Sequence, residues 1–143
     1  MIRYLLDTDT LSYLVKKTDT FHKNIFQRLL KEPEGSIAIS VISVAEVSRG
    51  LENLKNKNTP KQEKLINAIE HMLTAFVVLE FDEEAAWLYG KVRTELLLQG
   101  KDIGVMDTLI AAHALSQSLT LVTNNTKHFS YIQNLPLENW TLP

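Results

Sequence analysis

The sequence predicts an α/β protein in which helices cover both faces of a mostly parallel sheet. Short apolar runs that are typical of buried strands occur four times, at 2–6, 36–40, 75–81 and 119–123. The longer segments between them carry apolar residues at helical spacing, at 10–17, 21–31, 41–54, 60–74, 83–99 and 108–117. Strands that alternate with helices favour parallel pairing, because each connection has to cross the sheet before the next strand can start.

Turn and capping residues mark the boundaries of these elements. Pro and Gly interrupt the chain at 32–35, just before the second strand. Pro60 suits the first turn of a helix, Asp82 is a favourable N-cap, and Gly100 stops the helix that Asp82 begins. The polar and basic stretch 53–59 is expected to be an exposed turn between two helices.

Length and composition indicate one globular domain over residues 1–143. Of the 143 residues, 45% are hydrophobic and 22% are charged, so the chain can bury a core without cross-links. It has no cysteine, which excludes a disulfide scaffold and any thiolate site and fits a reducing compartment. No apolar run has the pattern of a signal peptide or a plain membrane span, so we expect a cytoplasmic protein.

The overall charge narrows the classes of function. A net charge of −2 argues against a protein that coats nucleic acid, because such proteins are usually basic. It does not exclude an enzyme that acts on nucleic acid, since a metal ion in an acidic site and a small basic patch can supply the attraction.

A carboxylate follows the first predicted strand, at the edge where open α/β sheets bind their ligands. Asp7 comes directly after the run 2–6, so it is a candidate for a functional site. The same position also suits a turn or N-cap residue. Asp9, two residues on, is interpreted as the cap of the helix that begins at Thr10.

Three more polar residues occupy comparable places, and each has a structural alternative. Glu46 lies just after the second strand, although the helical period puts it on a polar stripe that favours a solvated face. Asp107 opens the helix that feeds the last strand, where a helix cap is an equal interpretation. Asn125 follows the last strand and on its own is typical of a turn.

The histidines are weaker candidates. His113 falls within an apolar helix and is expected to be a packed, hydrogen-bonded residue. His128, close to Asn125, is either beside the site or at the surface, and the surface is favoured. No pair of histidines has zinc spacing. The sequence also has no Ser/His/Asp signature and no phosphate-binding glycine loop.

The predicted topology supports one shared site. In a parallel sheet the positions of Asp7, Glu46, Asp107 and Asn125 all lie at one edge. Oxygen ligands without cysteine or histidine suit Mg²⁺ or Mn²⁺. Such an ion could activate water and stabilise charge on a phosphodiester, whereas clustered carboxylates without a metal would repel one another.

With these residues placed, the sequence resembles the PIN-domain ribonucleases, and most closely the VapC toxins of toxin–antitoxin pairs. The matching stretches keep the order and spacing of the family, at 5–11, 40–50, 104–114, 121–129 and 137–140. Each motif is weak alone, and the four main motifs in sequence are specific. The resemblance therefore covers nearly the whole chain.

The resemblance implies a three-layer α/β/α fold with strand order 3-2-1-4-5 and an acidic metal site that hydrolyses RNA. The carboxylates of the family fall on Asp7, Glu46 and Asp107. Asn125 stands where many members have a fourth acid, which implies one well-occupied Mg²⁺ or Mn²⁺ rather than two. Family members commonly form homodimers and are blocked by an antitoxin whose tail enters the acidic groove.

The resemblance also implies a role for each side chain. Asp7 and Asp107 would hold the ion directly. Glu46 would bind it through water or orient the attacking water, and Asn125 would support the site by hydrogen bonding. Residues expected to contact RNA, the metal surroundings or the antitoxin are Thr8, Arg49 and Thr108.

Two alternatives remain open from the sequence. A haloacid-dehalogenase-like phosphatase would use Asp7 and Asp9 as its nucleophile and acid. Asp102 and Asp107 would then form the distal acidic motif, but Glu46 would have no role. The second alternative is a degenerate PIN domain that binds RNA or a protein without cutting, which the three retained carboxylates disfavour.

Overall fold

A five-stranded parallel sheet forms the middle layer of the fold. The computed structural model describes residues 1–17, 20–57 and 59–143. Its strands are β1 (Tyr4–Leu6), β2 (Ile37–Ser40), β3 (Val77–Leu79), β4 (Thr120–Val122) and β5 (Leu137–Glu138). They pair in the order β3-β2-β1-β4-β5, and every neighbouring pair is parallel. The predicted α/β class and strand order are confirmed.

Helices form the outer two layers. In the described part of the chain they are α1 (Thr8–Val15), α2 (Thr20–Lys31), α3 (Val41–Lys57), α4 (Pro60–Leu73), α5 (Glu83–Leu98), α6 (Val105–Ser116) and α7 (Thr126–Phe129). None of the helices within the described ranges has the length and apolarity needed to span a bilayer.

The first strand lies at the centre of the sheet and is buried on both faces. Leu5 packs in a core with residues of α5 and α6, whereas Tyr4 and Leu6 pack in a second core with residues of α1 and α2. Successive side chains of a strand point to opposite faces, so a central strand needs apolar residues on both. This packing fixes the end of β1 and therefore the position of Asp7.

The bounds of three helices differ by two residues or more from the expectations from sequence, and one of them, α6, begins at Val105 rather than at Thr108. The helix α1 begins at Thr8 rather than at Thr10, because Asp7 and not Asp9 is its N-cap. The cap assigned to Asp9 is wrong, since Asp9 lies inside the first turn. The helix α3 continues to Lys57, so 53–57 is helical rather than an exposed turn, while residue 58 lies outside the described residues.

Candidate active site

The carboxyl ends of the central strands meet at one edge of the sheet, and this edge carries the candidate residues. Asp7 directly follows β1, and Asn125 lies three residues beyond β4. Glu46 is in the second turn of α3, the helix that starts where β2 ends. Asp107 is in the first turn of α6, the helix that leads into β4.

Asp7 is buried at the start of α1, with 4% of its surface exposed. Its Oδ1 accepts hydrogen bonds from the backbone N–H of Thr10 at 2.8 Å and from the Thr10 hydroxyl at 2.6 Å. The Thr123 side chain lies near this carboxyl group and favours its charged form. Burial raises the pKa of the Asp7 carboxyl, the bonds from Thr10 and the nearby Thr123 oppose that shift, and the neighbouring Asp9 adds to it.

Glu46 is oriented by a hydroxyl group from the neighbouring helix. The Thr8 hydroxyl donates a hydrogen bond to Glu46 Oε1 at 2.7 Å, and it lies 2.9 Å from Ser43 Oγ. Thr8 is the first residue of α1, so this contact joins α1 to α3 beside the buried carboxylate. Glu46 is half-buried, so the interpretation of a solvated side chain is wrong for Glu46, although Arg49 on the same polar stripe is exposed.

Asp107 is held by a histidine that lies 21 residues further along the chain. Its Oδ2 is 3.2 Å from His128 Nε2, and the same nitrogen is 3.1 Å from the carbonyl oxygen of Ile103. The N-cap of α6 is Gly104, and Asp107 is the third helical residue. The interpretation of Asp107 as a helix cap is therefore wrong.

Asp7 and Asp107 both lie in surroundings that disfavour a negative charge on the carboxyl group. Burial raises the pKa of the Asp107 carboxyl, His128 opposes this shift, and Glu46 and Asp9 add to it. These contributions mean that Asp107 lies within electrostatic range of Glu46 and Asp9, and Asp7 within range of Asp9. A divalent cation would relieve their repulsion, and carboxylate oxygens are the ligands that Mg²⁺ prefers.

The donor set fits a cation that keeps part of its hydration. Each of the three carboxylates has one oxygen bonded by a neighbouring donor, from Thr10, Thr8 or His128. Among the residues that the structure describes, no three acidic, histidine or cysteine side chains converge closely enough to form a ready-made cage. Mg²⁺ commonly takes one or two carboxylates and completes its shell with water, so Asp7 and Asp107 suit it.

The other candidates surround this cluster. Asn125 is exposed at the start of α7, and its backbone N–H donates to Thr123 Oγ1 at 3.0 Å. Thr108 is fully buried, and its hydroxyl donates to the Gly104 carbonyl oxygen at 2.6 Å, so it stabilises the start of α6. Arg49 is exposed on α3, one helical turn beyond Glu46.

One side chain that supports the site, Thr123, was missed by reasoning from sequence, and a second, His128, was expected at the surface in preference to a place beside the site. Thr123 lies near Asp7 and accepts the N–H of Asn125, and so places the segment after β4 beside the end of β1. His128 contacts Asp107 instead of lying free at the surface. Two features of the sequence could have identified them: Thr123 directly follows an apolar strand, and His128 lies three residues after Asn125.

His113 is packed and hydrogen-bonded, as predicted. It is fully buried, and its Nδ1 lies 2.7 Å from Ser40 Oγ. The same Ser40 oxygen accepts the backbone N–H of Ile42 at 3.0 Å, at the start of α3. Burial lowers the pKa of His113, which keeps the ring neutral. His113 therefore supports the helix that carries Glu46.

The sheet order and the acidic edge define a class of proteins, and a family model agrees with them. The model described as the PIN domain matches residues 4–134. This range runs from β1 past the end of α7 and includes every candidate residue. The chain therefore belongs to the PIN domain family.

Within that family the chain is similar to proteins named VapC. It is 38% identical to ribonuclease VapC2 of Rickettsia felis, over 96% of this chain and 97% of that protein. It is 30% identical to the tRNA(fMet)-specific endonuclease VapC of Shigella flexneri, over 99% of this chain and all of that protein. A crystal structure of Rickettsia felis VapBC2 bound to a DNA fragment from its promoter matches with a TM-score of 0.80 at 37% identity, over 98% of this chain and 99% of that chain.

Proposed function

We propose that the protein is an endoribonuclease that hydrolyses RNA phosphodiester bonds with Mg²⁺ or Mn²⁺. The observation that carries the proposal is the cluster of Asp7, Glu46 and Asp107 at one sheet edge, each with one oxygen bonded by the protein. Similarity to proteins named as a ribonuclease and a tRNA-specific endonuclease supports RNA as the substrate. When bound, the cation supplies stabilisation of negative charge on the scissile phosphate.

The contacts suggest how the side chains divide the work. Asp7 and Asp107 would hold the cation, because both are carboxylates whose charge is disfavoured without one. Glu46 has Oε1 fixed by Thr8, which leaves Oε2 to orient the attacking water. The exposed amide of Asn125 would donate a hydrogen bond at the rim of the site.

The substitution Asp7→Asn tests the proposal. We expect Mg²⁺-dependent cleavage of an RNA transcript to fall to background, because the amide keeps the helix cap but loses the charge that binds the cation. A matched control is Asp82→Asn, since Asp82 is the N-cap of α5 and accepts the N–H of Ala85 in the same way. Unchanged cleavage by Asp7→Asn would contradict the proposal. If the wild type binds RNA but yields no metal-dependent cleavage product, the protein is instead a PIN domain that binds RNA without cutting it.

We further propose that the chain is the toxin of a toxin–antitoxin pair. Similarity to VapC proteins and to the VapBC2 structure supports a cognate antitoxin as the partner. A groove of about 340 Å³ lies between α1, α3 and α4, and its lining is mainly apolar, including Leu11, Val47, Ile69 and Met72. The groove reaches Thr8, so a partner segment that fills it would arrive beside Glu46. Loss of co-purification with the product of the neighbouring reading frame on Ile69→Glu substitution would support this docking.

Location and assembly follow from the same family resemblance. We propose that residues 1–143 form one domain that acts in the cytoplasm as a homodimer. Large exposed apolar side chains on α5 support self-association, since Trp87 is 77% exposed and Leu98 is 83% exposed. A monomer by light scattering at micromolar concentration would contradict the homodimer.

A phosphatase of the haloacid-dehalogenase type is disfavoured by the contacts of Asp102. Its carboxylate pairs with Arg93 and accepts the backbone N–H of Gly104 at 2.8 Å. These bonds assign Asp102 to the loop before α6 rather than to a reacting phosphate. Incubation with a labelled phosphate donor distinguishes the nuclease from the phosphatase, because only the phosphatase would form a labelled aspartyl-phosphate on Asp7.

A further inference from the structure

The segment after β4 carries a side chain that reaches the cluster of acids from outside it. His128 is in the short helix α7, three residues after Asn125, and its side chain is 29% exposed. The next residue, Phe129, is buried in the core and lies edge-to-face against the imidazole at 5.4 Å between ring centres. The position of the imidazole is therefore set by the core and not only by solvent-exposed contacts.

The surroundings of His128 determine which of its nitrogens carries hydrogen. Nε2 lies 3.1 Å from the carbonyl oxygen of Ile103 and 3.2 Å from Oδ2 of Asp107. Both neighbours are hydrogen-bond acceptors, so a lone pair on Nε2 would be repelled by both. Nε2 must therefore carry a hydrogen, and it donates toward the backbone before α6 and toward the carboxylate on α6 at once.

We propose that His128 is a positioning residue that fixes the Asp107 carboxylate for the cation. This inference rests on the proposed function of the site. With Oδ2 bonded to the imidazole, Oδ1 is the oxygen of Asp107 that remains for a cation. The bond to Ile103 ties the same imidazole to the loop from which α6 starts, so the carboxylate and its helix are held as one unit. Outer hydrogen-bond partners of this kind set the orientation of metal ligands.

The test compares two substitutions at His128. The variant His128→Phe keeps a ring against Phe129 and removes the donor, whereas His128→Gln places an amide N–H within reach of the Nε2 position. Calorimetric titration with Mn²⁺, without RNA, should show affinity weakened by about 10- to 100-fold in His128→Phe. We expect His128→Gln to recover most of the wild-type affinity. A matched control is His71→Phe, an exposed histidine on α4, which should bind Mn²⁺ like the wild type.

Cleavage kinetics separate positioning from direct participation. If His128 acts through Asp107, saturating Mn²⁺ should restore the cleavage rate of His128→Phe, and the KM for RNA should not change. Wild-type Mn²⁺ affinity in His128→Phe would overturn the inference, and so would a rate that saturating Mn²⁺ does not restore. Should His128→Phe fold poorly by circular dichroism, His128→Leu removes the donor with less bulk and is judged by the same two measurements.

The outcomes also distinguish this inference from the proposed function. If the wild type binds Mn²⁺ and cleaves RNA but His128→Phe binds Mn²⁺ equally well, only the role of His128 is wrong. If Asp7→Asn cleaves as well as the wild type, the proposed function is wrong whatever His128 does. If the wild type binds no Mn²⁺, both are overturned.

Discussion

At the scale of single residues, the observed cap of α1 and the proposed cation site make different demands on the charge of Asp7. Capping α1 requires only an oxygen acceptor for the Thr10 N–H, whereas cation binding requires the ionised carboxylate. Burial raises the pKa of Asp7 above its value in the unfolded chain. This group therefore favours the folded state at low pH, and that contribution is lost as the pH rises through the folded-state pKa.

We expect Asp7→Asn to raise the thermal midpoint in chelator at pH 7.5, because the amide keeps the cap without a buried charge. Each kcal/mol gained would add about 2–4 °C in a protein near this size. Scanning calorimetry measures the shift, and the exposed cap variant Asp82→Asn should show no gain. Added Mn²⁺ should then stabilise the wild type but not Asp7→Asn. A lower midpoint for Asp7→Asn in chelator would contradict this expectation, because the bonds that the carboxylate accepts would then outweigh the cost of burying its charge.

At the scale of elements, the start of α6 depends on a backbone conformation that glycine adopts readily. Gly104, the N-cap of α6, has φ +91° and ψ 161°. Its N–H donates to Asp102, which also pairs with Arg93, and its carbonyl oxygen accepts the Thr108 hydroxyl. These bonds fix the first turn of α6, and Asp107 is part of that turn.

Replacing Gly104 by alanine should destabilise the fold by about 1–3 kcal/mol, because a residue with Cβ is strained at this φ and ψ. Cleavage should also fall, since relief of the strain would move Asp107. The control is Gly90→Ala within α5, where alanine should stabilise by about 0.5–1 kcal/mol. An added Cβ meets nothing within 4 Å at either glycine, so backbone conformation is the difference between them. Urea unfolding curves that shift in the same direction for both variants would contradict this account.

At the scale of the whole molecule, a buried histidine connects stability to pH. His113 of α6 contacts Ser40 at the end of β2, and so joins a helix layer to the sheet. Burial lowers the pKa of His113 below its ordinary value of 6.5. The unfolded chain therefore binds a proton at this histidine more readily than the folded protein does. The contribution of His113 to stability is fully present above pH 6.5 and is lost as the pH falls below 6.5 toward the folded-state pKa.

We expect the free energy of unfolding to fall from pH 7.5 to pH 5.5, by up to about 1.4 kcal/mol per pH unit from this one group. The raised pKa values of Asp7 and Asp107 act in the opposite direction, so the comparison is with His113→Leu, in which the decrease should become smaller. Circular dichroism and the fluorescence of the buried Trp140 should report one transition if the chain is a single domain. The same pH dependence in wild type and variant would rule out His113 as its source.

The sequence predicts the framework better than it predicts the contacts at the site. Strand ends are readable because β1 is buried on both faces, which produces a local apolar run that stops at Asp7. Local pattern fails for Glu46, because its side chain is bonded by the Thr8 hydroxyl, 38 residues away in the chain, while Arg49 on the same polar stripe is exposed to water. It also fails to choose between Asp7 and Asp9 as the cap of α1, because the deciding hydrogen bonds depend on where β1 ends.

The central place of β1 determines when, during synthesis of the chain, the acidic site can be completed. Tyr4 of β1 pairs with Thr120 of β4, so β1 receives one of its two neighbours only after the chain has been synthesised as far as β4. Pairings between such distant segments form late, because the intervening chain must be present. Until then Asp7 lacks both Thr123 and Asp107. A ribosome that makes this chain therefore carries an incomplete acidic site until β4 emerges, so the proposed nuclease activity is not expected before that point.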